Sequence, residues 1–256
     1  PLAYKVHPYQ WPTIGKNIDH IAGASLEEVE DFFHRFYAPD NAILSISGNI
    51  TDEKALELVK KWFGDIPPAR YKRKALPMEP QQTEERRLVC EHNKVPADAI
   101  YKVYHMGDRR SDNFYTCDTI SDILSNGQSS RLYINLIKNG KLFSEVDAYI
   151  TGDMDPGLFI FSGKLSEGVA IEEAEAAIQN EIDRFIEDPI SERELQKVIN
   201  KTEARISYSE INYQGKSANL AFFDYLGDIN LINSESTRYA EVSLDSIKQT
   251  ARELFS

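Results

Sequence analysis

An internal repeat is the feature of this 256-residue sequence that most limits how it can fold. The pentad Ser-Leu-Glu-Glu-Val at residues 25–29 returns as Ser-Leu-Asp-Ser-Ile at residues 243–247, which is 218 positions later. In the same register, Leu-Ala-Tyr at residues 2–4 returns as Leu-Ala-Phe at residues 220–222. Self-similarity in one register is the signature of a repeated structural unit. We therefore expect one full period of about 218 residues plus 38 more, with the first copy lacking its beginning and the second its end.

The start of the sequence agrees with this interpretation. Pro1 is not an initiator methionine, and neither a basic segment nor an apolar signal segment follows it. We therefore expect the chain to be part of something longer. The sequence gives no reason to prefer the periplasm, the cytoplasm or an organelle, so the location is unknown.

Charge and composition exclude several classes of protein. The 41 acidic residues outnumber the 29 basic ones, which gives a net charge of −12 and argues against nucleic acid as a partner. No apolar run approaches the roughly 20 residues that a membrane-spanning helix needs, so we expect no membrane span in this segment. The two cysteines, Cys90 and Cys117, are too few for a disulfide framework. We expect both thiols to be buried.

The pattern of apolar residues favours an α+β fold with an antiparallel or mixed sheet packed against helices. Two capping boxes of the Ser-x-x-Glu type, at Ser25 and Ser191, each predict the start of an amphipathic helix. Strands and helices do not alternate strictly, which argues against a doubly wound fold. The predicted strands are Ala42–Ser47, Arg87–Glu91, Ala99–His105, Glu145–Ile150 and Gly157–Leu165. Predicted helices follow Ser25 and Thr51 and then cover about 112–124, 130–137, 169–187, 191–208, 213–226 and 244–255.

A polar, proline-rich stretch divides the chain into two predicted domains. Residues 1–76 would be the closing half of the first repeat, residues 77–84 the linker, and residues 82–256 the second repeat, truncated at its C-terminus. We expect Ala42–Ser47 to pair with the sheet of the second repeat, whose own equivalent strand is missing, either within the chain or across a swapped dimer. The alternative is that residues 1–76 form a separate small lobe.

A catalytic constellation is not apparent in the sequence. None of the five histidines has a second histidine one helical turn away, which a helical zinc site requires. No Gly-x-Ser-x-Gly elbow occurs, and neither cysteine has an evident general base. Asp118 and Asp122 are one helical turn apart, but two like charges without histidines are more typical of a solvated helix face.

Several motifs nevertheless resemble the pitrilysin/insulinase family of zinc metallopeptidases, which includes the mitochondrial processing peptidases and their bacterial relatives. The similarity begins at His7-Pro8-Tyr9, continues through Phe63-Gly64-Asp65-Ile66-Pro67, and resumes at Ser129-Ser130-Arg131-Leu132 and at Ser191-Glu192 with Glu194-Leu195. Proteins of this family consist of homologous α+β repeats of a little over 200 residues, in an α/β-roll arrangement. That length agrees with the repeat found in this sequence.

The resemblance also implies where the zinc should be. The family's zinc site is an inverted His-x-x-Glu-His motif with a distant glutamate, and all of it would lie upstream of His7. The corresponding helix of the second repeat, about Asn113–Leu124, contains no histidine. The resemblance therefore implies that this chain holds no cofactor itself, that zinc belongs to the parent protein, and that the second repeat is the non-catalytic type.

The family also uses an arginine and a tyrosine, seven residues apart, to bind the substrate backbone. The matching positions here are Ile137 and Ser144, so the pair is absent, although we expect both residues to lie where a peptide passes. The resemblance implies that the chain is part of a zinc metalloendopeptidase and forms the non-catalytic half of a chamber enclosing a peptide. Its partner would be a homologous repeat or a partner subunit. The alternative is a catalytically inactive structural subunit of the same family.

Overall fold

A computed structural model of the chain describes residues 2–15, 17–69, 71, 74–92 and 94–256. The chain forms two compact units. Unit 1 comprises Pro1–Glu91 together with Asn212–Ile229, and unit 2 comprises His92–Ile211 together with Asn230–Ser256. The second unit is therefore interrupted by a segment that belongs to the first.

Helices account for most of the regular structure. The described residues form α1 (Ile18–Ala22), α2 (Leu26–Phe36), α3 (Asp52–Phe63), α4 (Phe114–Ser125), α5 (Ile171–Glu187), α6 (Glu192–Ser209), α7 (Tyr213–Tyr225), α8 (Leu231–Ala240) and α9 (Leu244–Leu254). A π-helix covers Tyr133–Asn139. Both predicted capping boxes are present, at Ser25 with Glu28 and at Ser191 with Glu194. None of the described helices is long and apolar enough to cross a lipid bilayer.

A three-stranded antiparallel sheet lies in unit 2. Its strands are β1 (Ala99–His105), β2 (Phe143–Ile150) and β3 (Leu158–Leu165), in the order β1-β3-β2. Val103 pairs with Ile160 and Ala148 with Phe161, and the register of β2 shifts between Phe143 and Glu145. The α+β class and three of the predicted strands are thereby confirmed.

The core of unit 2 lies between one face of this sheet and the helices α4, α5 and α9. Alternate residues of β3 point inward, as period-two geometry requires, and Phe159 and Phe161 are fully buried. They meet Ile120 from α4, Ile178 from α5 and other buried side chains of one continuous cluster. Each such buried side chain contributes on the order of 1.5–3 kcal/mol to folding.

Two predicted strands are wrong. Residues 42–47 and 87–91 have no strand structure, and Ile43, Leu44 and Ile46 are exposed. The sheet formed by the described residues consists of β1, β3 and β2, so the predicted pairing of Ala42–Ser47 with it within the chain is also wrong. A strand is defined by hydrogen bonds to a neighbouring strand, and unit 1 offers residues 42–47 no such neighbour among its described residues.

The cysteines also depart from one expectation. Cys117 is buried on α4, and burial raises the pKa of its thiol to about 12. Cys90 is exposed instead of buried. It lies in an irregular segment at the end of unit 1, where no apolar layer covers it.

In unit 1, the segment 5–7 is fixed to the carboxylate of Glu79. The backbone N–H groups of Lys5, Val6 and His7 donate to the Glu79 oxygens at 2.8, 2.8 and 2.9 Å. Burial opposes ionisation of Glu79, but the hydrogen bonds from His7, Val6 and Lys5 outweigh it and lower its pKa to about 2. The side chain of Arg86 adds hydrogen bonds to the carbonyls of Leu2 and Ala3.

We expect this contact to weaken in acid. A carboxyl group whose pKa is lowered by folding stabilises the fold above its unfolded pKa of 4.5, and this contribution is lost as the pH falls toward 2. Hydrogen exchange of the amides of residues 5–7 should therefore accelerate, beyond its intrinsic pH dependence, as the pH falls from 5 to 3. Glu79→Gln should accelerate exchange already at pH 6, whereas the exposed control Glu84→Gln should not. Equal protection in both variants would contradict this account.

Candidate functional site

The two predicted peptide-contacting residues lie on either side of one tight turn in unit 2. Ile137 is on the π-helix, where its side chain is half-buried against the core. Ser144 is on β2 beside the register shift, and its exposed hydroxyl donates to the carbonyl of Lys164 at 3.2 Å. Ile137 can offer a ligand only apolar contact, and Ser144 only one hydroxyl group. Their role as peptide contacts stays a prediction.

The turn between them has an unusual backbone. The N–H of Gly140 donates to the carbonyl of Asn135, five residues earlier, at 2.9 Å. A Cβ atom at Gly140 would lie 2.6 Å from that same oxygen, so the position requires glycine. Lys141 then adopts a left-handed conformation with φ of 56°. Single π-turns of this kind occur frequently near functional sites.

Two of the motif segments that carry the family resemblance contact each other in unit 2. Arg131, from Ser-Ser-Arg-Leu, donates through Nε and Nη2 to the two carboxylate oxygens of Glu194 at 2.9 and 3.2 Å. Burial opposes ionisation of Glu194, but the hydrogen bonds from Arg131 and Ser191 outweigh it and lower its pKa to about 2. The guanidinium of Arg131 also lies 5.3 Å from the ring centroid of Phe185. This two-pronged ion pair fixes the start of α6 against the segment that leads into the π-helix.

A second candidate site is a polar cleft of about 410 Å³ between α4 and β2. Asp118, Ser121, Asp122 and Ser125 line one wall, and residues 147–150 of β2 line the other. The hydroxyl of Ser125 donates to the carbonyl of Ala148 at 2.7 Å and thereby joins α4 to β2. In the part of the chain that the structure describes, β2 has a neighbouring strand on one side only, and the cleft lies along its other side.

The two aspartates of the cleft are engaged by protein groups, so the expected solvated helix face is wrong. Asp118 accepts a hydrogen bond of 2.5 Å from the hydroxyl of Tyr239, and a guanidinium nitrogen of Arg205 lies 3.8 Å from it. Asp122 accepts from the side-chain amide of Asn126 at 2.6 Å, and burial raises the pKa of its carboxyl group. The one-turn spacing of Asp118 and Asp122 is visible in the sequence, but the partners of Asp118, Tyr239 and Arg205, are distant from it along the chain.

These residues do not fit a zinc ion. Zinc sites use mainly histidine and cysteine, with carboxylates as additional ligands, and α4 offers two aspartates that already have hydrogen-bond partners. Across the described ranges, no three His, Cys, Asp or Glu side chains are placed together so that they could hold a metal. We therefore derive no metal chemistry from this cleft.

Elsewhere in unit 2, a buried ion pair holds α8 against the start of α4. A guanidinium nitrogen of Arg109 lies 2.7 Å from a carboxylate oxygen of Glu235, and the hydroxyl of Tyr115 donates to the other oxygen at 3.2 Å. The Arg109 side chain is 7% exposed and its guanidinium lies 4.2 Å from the ring centroid of Phe114. Neither α8 nor this ion pair is predicted from the sequence.

Comparison with known proteins gives a consistent result. Residues 23–202 match the family described as "Peptidase M16 inactive domain". The zinc protease PqqE of Helicobacter pylori is 27% identical over 262 residues, which cover 99% of this chain and 57% of PqqE. The solved structure of a protease from Helicobacter pylori has a TM-score of 0.90 at 23% identity, covering 99% of this chain and 62% of that one. A peptidase M16 inactive domain from Pseudomonas fluorescens has a TM-score of 0.82 at 14% identity, covering 99% and 60% of the two chains. The chain thus spans less than two thirds of the length of these proteins.

Proposed function

This chain belongs to the family of peptidase M16 inactive domains, which its residues 23–202 match, and from this membership we propose that it forms the non-catalytic half of a peptide-enclosing chamber in a zinc metalloendopeptidase. The family match is the main support for the proposal, because the matched residues make up more than half of the chain. The name of PqqE as a zinc protease supports the metal and the reaction class. Zinc, when bound in the complete protein, would activate water for attack on a peptide bond.

In this proposal the zinc ligands lie in the part of the protein that the present chain does not cover. PqqE extends well beyond the aligned region, since the chain covers 57% of it. Asp118, Ser121 and Asp122 on α4 have the spacing i, i+3, i+4 of the inverted motif, but their polar groups bind Tyr239, Asn126 and the helix backbone. Helix α4 would therefore keep the position of a catalytic helix and serve to support the cleft.

The peptide would be held along the unpaired side of β2. An extended peptide can add to a sheet edge through its backbone, and Ser125 and Ala148 already connect the cleft wall to this edge. Ile137 and Ser144 flank the turn where β2 begins. Neither residue can supply the positive charge of an arginine. An arginine of a homologous repeat or of a partner subunit would therefore supply that charge.

The substitution Ile137→Arg combined with Ser144→Tyr tests this function in the longer polypeptide that contains this chain and a complete first repeat. We expect zinc-dependent turnover of a quenched peptide to be weak for the unsubstituted protein alone and to rise about 10- to 100-fold in the double variant, because a positioned cation stabilises the developing oxyanion. Circular dichroism should first establish that the variant is folded, since Ile137 packs against the core.

Two outcomes would contradict the proposal. Rapid turnover by the unsubstituted protein alone, unchanged in the double variant, would exclude the need for a borrowed arginine and tyrosine. The absence of zinc-dependent turnover in every form, with and without a partner subunit, would favour the alternative of a catalytically inactive structural subunit.

A further inference from the structure

The edge of β2 that faces the cleft presents backbone groups at every second residue. In an antiparallel pair, residues that bond to the neighbouring strand alternate with residues whose N–H and C=O point away from it. The N–H of Thr151, just after β2, donates to the carbonyl of Leu158 on β3 at 2.9 Å. Counting back from Thr151, the backbone groups of Ile150, Ala148 and Val146 therefore point away from β3 and toward the cleft.

One of these groups already has a partner on α4. The hydroxyl of Ser125 donates to the carbonyl of Ala148 at 2.7 Å, across 23 positions of sequence. This bond agrees with the alternation, because it places the Ala148 carbonyl on the cleft side of β2. Ser125 thus caps a carbonyl that an added strand would otherwise use.

The same hydroxyl has a second acceptor within reach. The carbonyl of Ser121, one turn earlier on α4, lies 3.4 Å from the Ser125 oxygen. A serine hydroxyl has one proton to donate, and the shorter bond to Ala148 is the stronger of the two. A rotation of the hydroxyl toward Ser121 would release the Ala148 carbonyl and still leave the proton with an acceptor.

We propose that Ser125 is a positioning residue whose hydroxyl is an exchangeable cap on β2. It binds the Ala148 carbonyl when the cleft is empty, and it turns to the Ser121 carbonyl when a peptide N–H takes its place. The peptide would run antiparallel to β2, as β3 does on the other side. This inference rests on the proposed role of the chain in holding a peptide along β2.

The side chains of β2 indicate which probe peptide fits this register. Asp147 is exposed and lines the cleft, and it lies on the opposite face of β2 from Val146 and Ala148. A lysine directly opposite Asp147 should favour this register, because opposite charges stabilise a cross-strand pair. In an antiparallel peptide, the residue before this lysine is the one opposite Ala148. The probe is therefore the peptide Thr-Val-Lys-Val-Thr with a fluorescent label.

Fluorescence anisotropy of this probe with the 256-residue chain tests the inference. Ser125→Ala should raise the affinity about 2- to 10-fold, because the peptide no longer competes with the hydroxyl for one hydrogen bond. Ser125→Thr keeps a hydroxyl and should bind as the unsubstituted chain does. Ser234→Ala removes a hydroxyl that donates to the Leu231 carbonyl within α8, and as the matched control it should leave the affinity unchanged.

A second measurement separates an exchanged cap from a purely structural effect on α4. The valine before the lysine would donate its N–H to Ala148, whereas the N–H of the lysine would point away from β2. N-methylation of this valine should abolish the gain in affinity of Ser125→Ala, and N-methylation of the lysine should preserve it. A structural effect would not distinguish the two methylated probes.

Three outcomes would overturn the inference. Equal affinity of the unsubstituted chain and Ser125→Ala would show that the peptide does not take the Ala148 carbonyl, although a peptide could still be held elsewhere along β2. Weaker binding by Ser125→Ala would show that the hydroxyl assists the peptide instead of competing with it. A probe that binds to no form of the chain would overturn both this inference and the proposed role of β2 in holding a peptide.

Discussion

Replacing Glu235 by alanine should lower the free energy of unfolding of unit 2 by about 3–5 kcal/mol, because it removes the carboxylate that balances the buried charge of Arg109. The two side chains are 7% and 13% exposed, and the distance between their charged atoms is 2.7 Å. The substitution also removes the acceptor of the Tyr115 hydroxyl. The change should appear as a lower denaturant midpoint in unfolding followed by far-UV circular dichroism.

An exposed ion pair provides the control for this prediction. Arg87 and Glu85 are 2.6 Å apart, but their side chains are 64% and 70% exposed. Glu85→Ala should therefore change stability by no more than about 1 kcal/mol. Similar denaturant midpoints for Glu235→Ala and Glu85→Ala would show that the ion pair between Arg109 and Glu235 does not stabilise unit 2 by the expected amount.

The second large loss of stability is expected in α9, the helix that repeats the sequence of α2. Ile247→Ala removes a fully buried side chain of α9, which packs against α4 and α5, and the lost burial and the cavity together should cost about 2–5 kcal/mol. Val29→Ala changes the equivalent position of α2, where the side chain is half-exposed, and should cost no more than about 0.5 kcal/mol in the same 256-residue chain. Comparable losses in both variants would contradict the difference between the two helix environments.

Local sequence signals predicted those parts of the fold that depend on neighbouring residues. The capping box at Ser191 and the pattern of apolar residues in β1 and β3 predicted element boundaries within about two residues of those observed. The resemblance to the pitrilysin/insulinase zinc peptidases is confirmed by the match to their inactive domain. These signals succeed because helix ends and strand faces are set by interactions of short range.

Features that depend on distant partners were predicted poorly. Residues 42–47 form an apolar run of the kind typical of strands, but the run cannot reveal whether a neighbouring strand is present. The acid pair in the cleft was misinterpreted because its main partner, Tyr239, is 121 positions away from Asp118. Helix α8 begins without a side-chain cap and carries few apolar residues, so neither signal for a helix is present.

The central claim is that this chain is the non-catalytic half of a zinc peptidase, and metal content measured together with peptide cleavage tests it most directly. The purified 256-residue chain should retain much less than one equivalent of zinc after extensive dialysis and should not cleave a quenched peptide. The longer polypeptide with a complete first repeat should retain about one equivalent, as one catalytic site requires. A full equivalent of tightly bound zinc in the 256-residue chain, together with peptide turnover, would contradict the account.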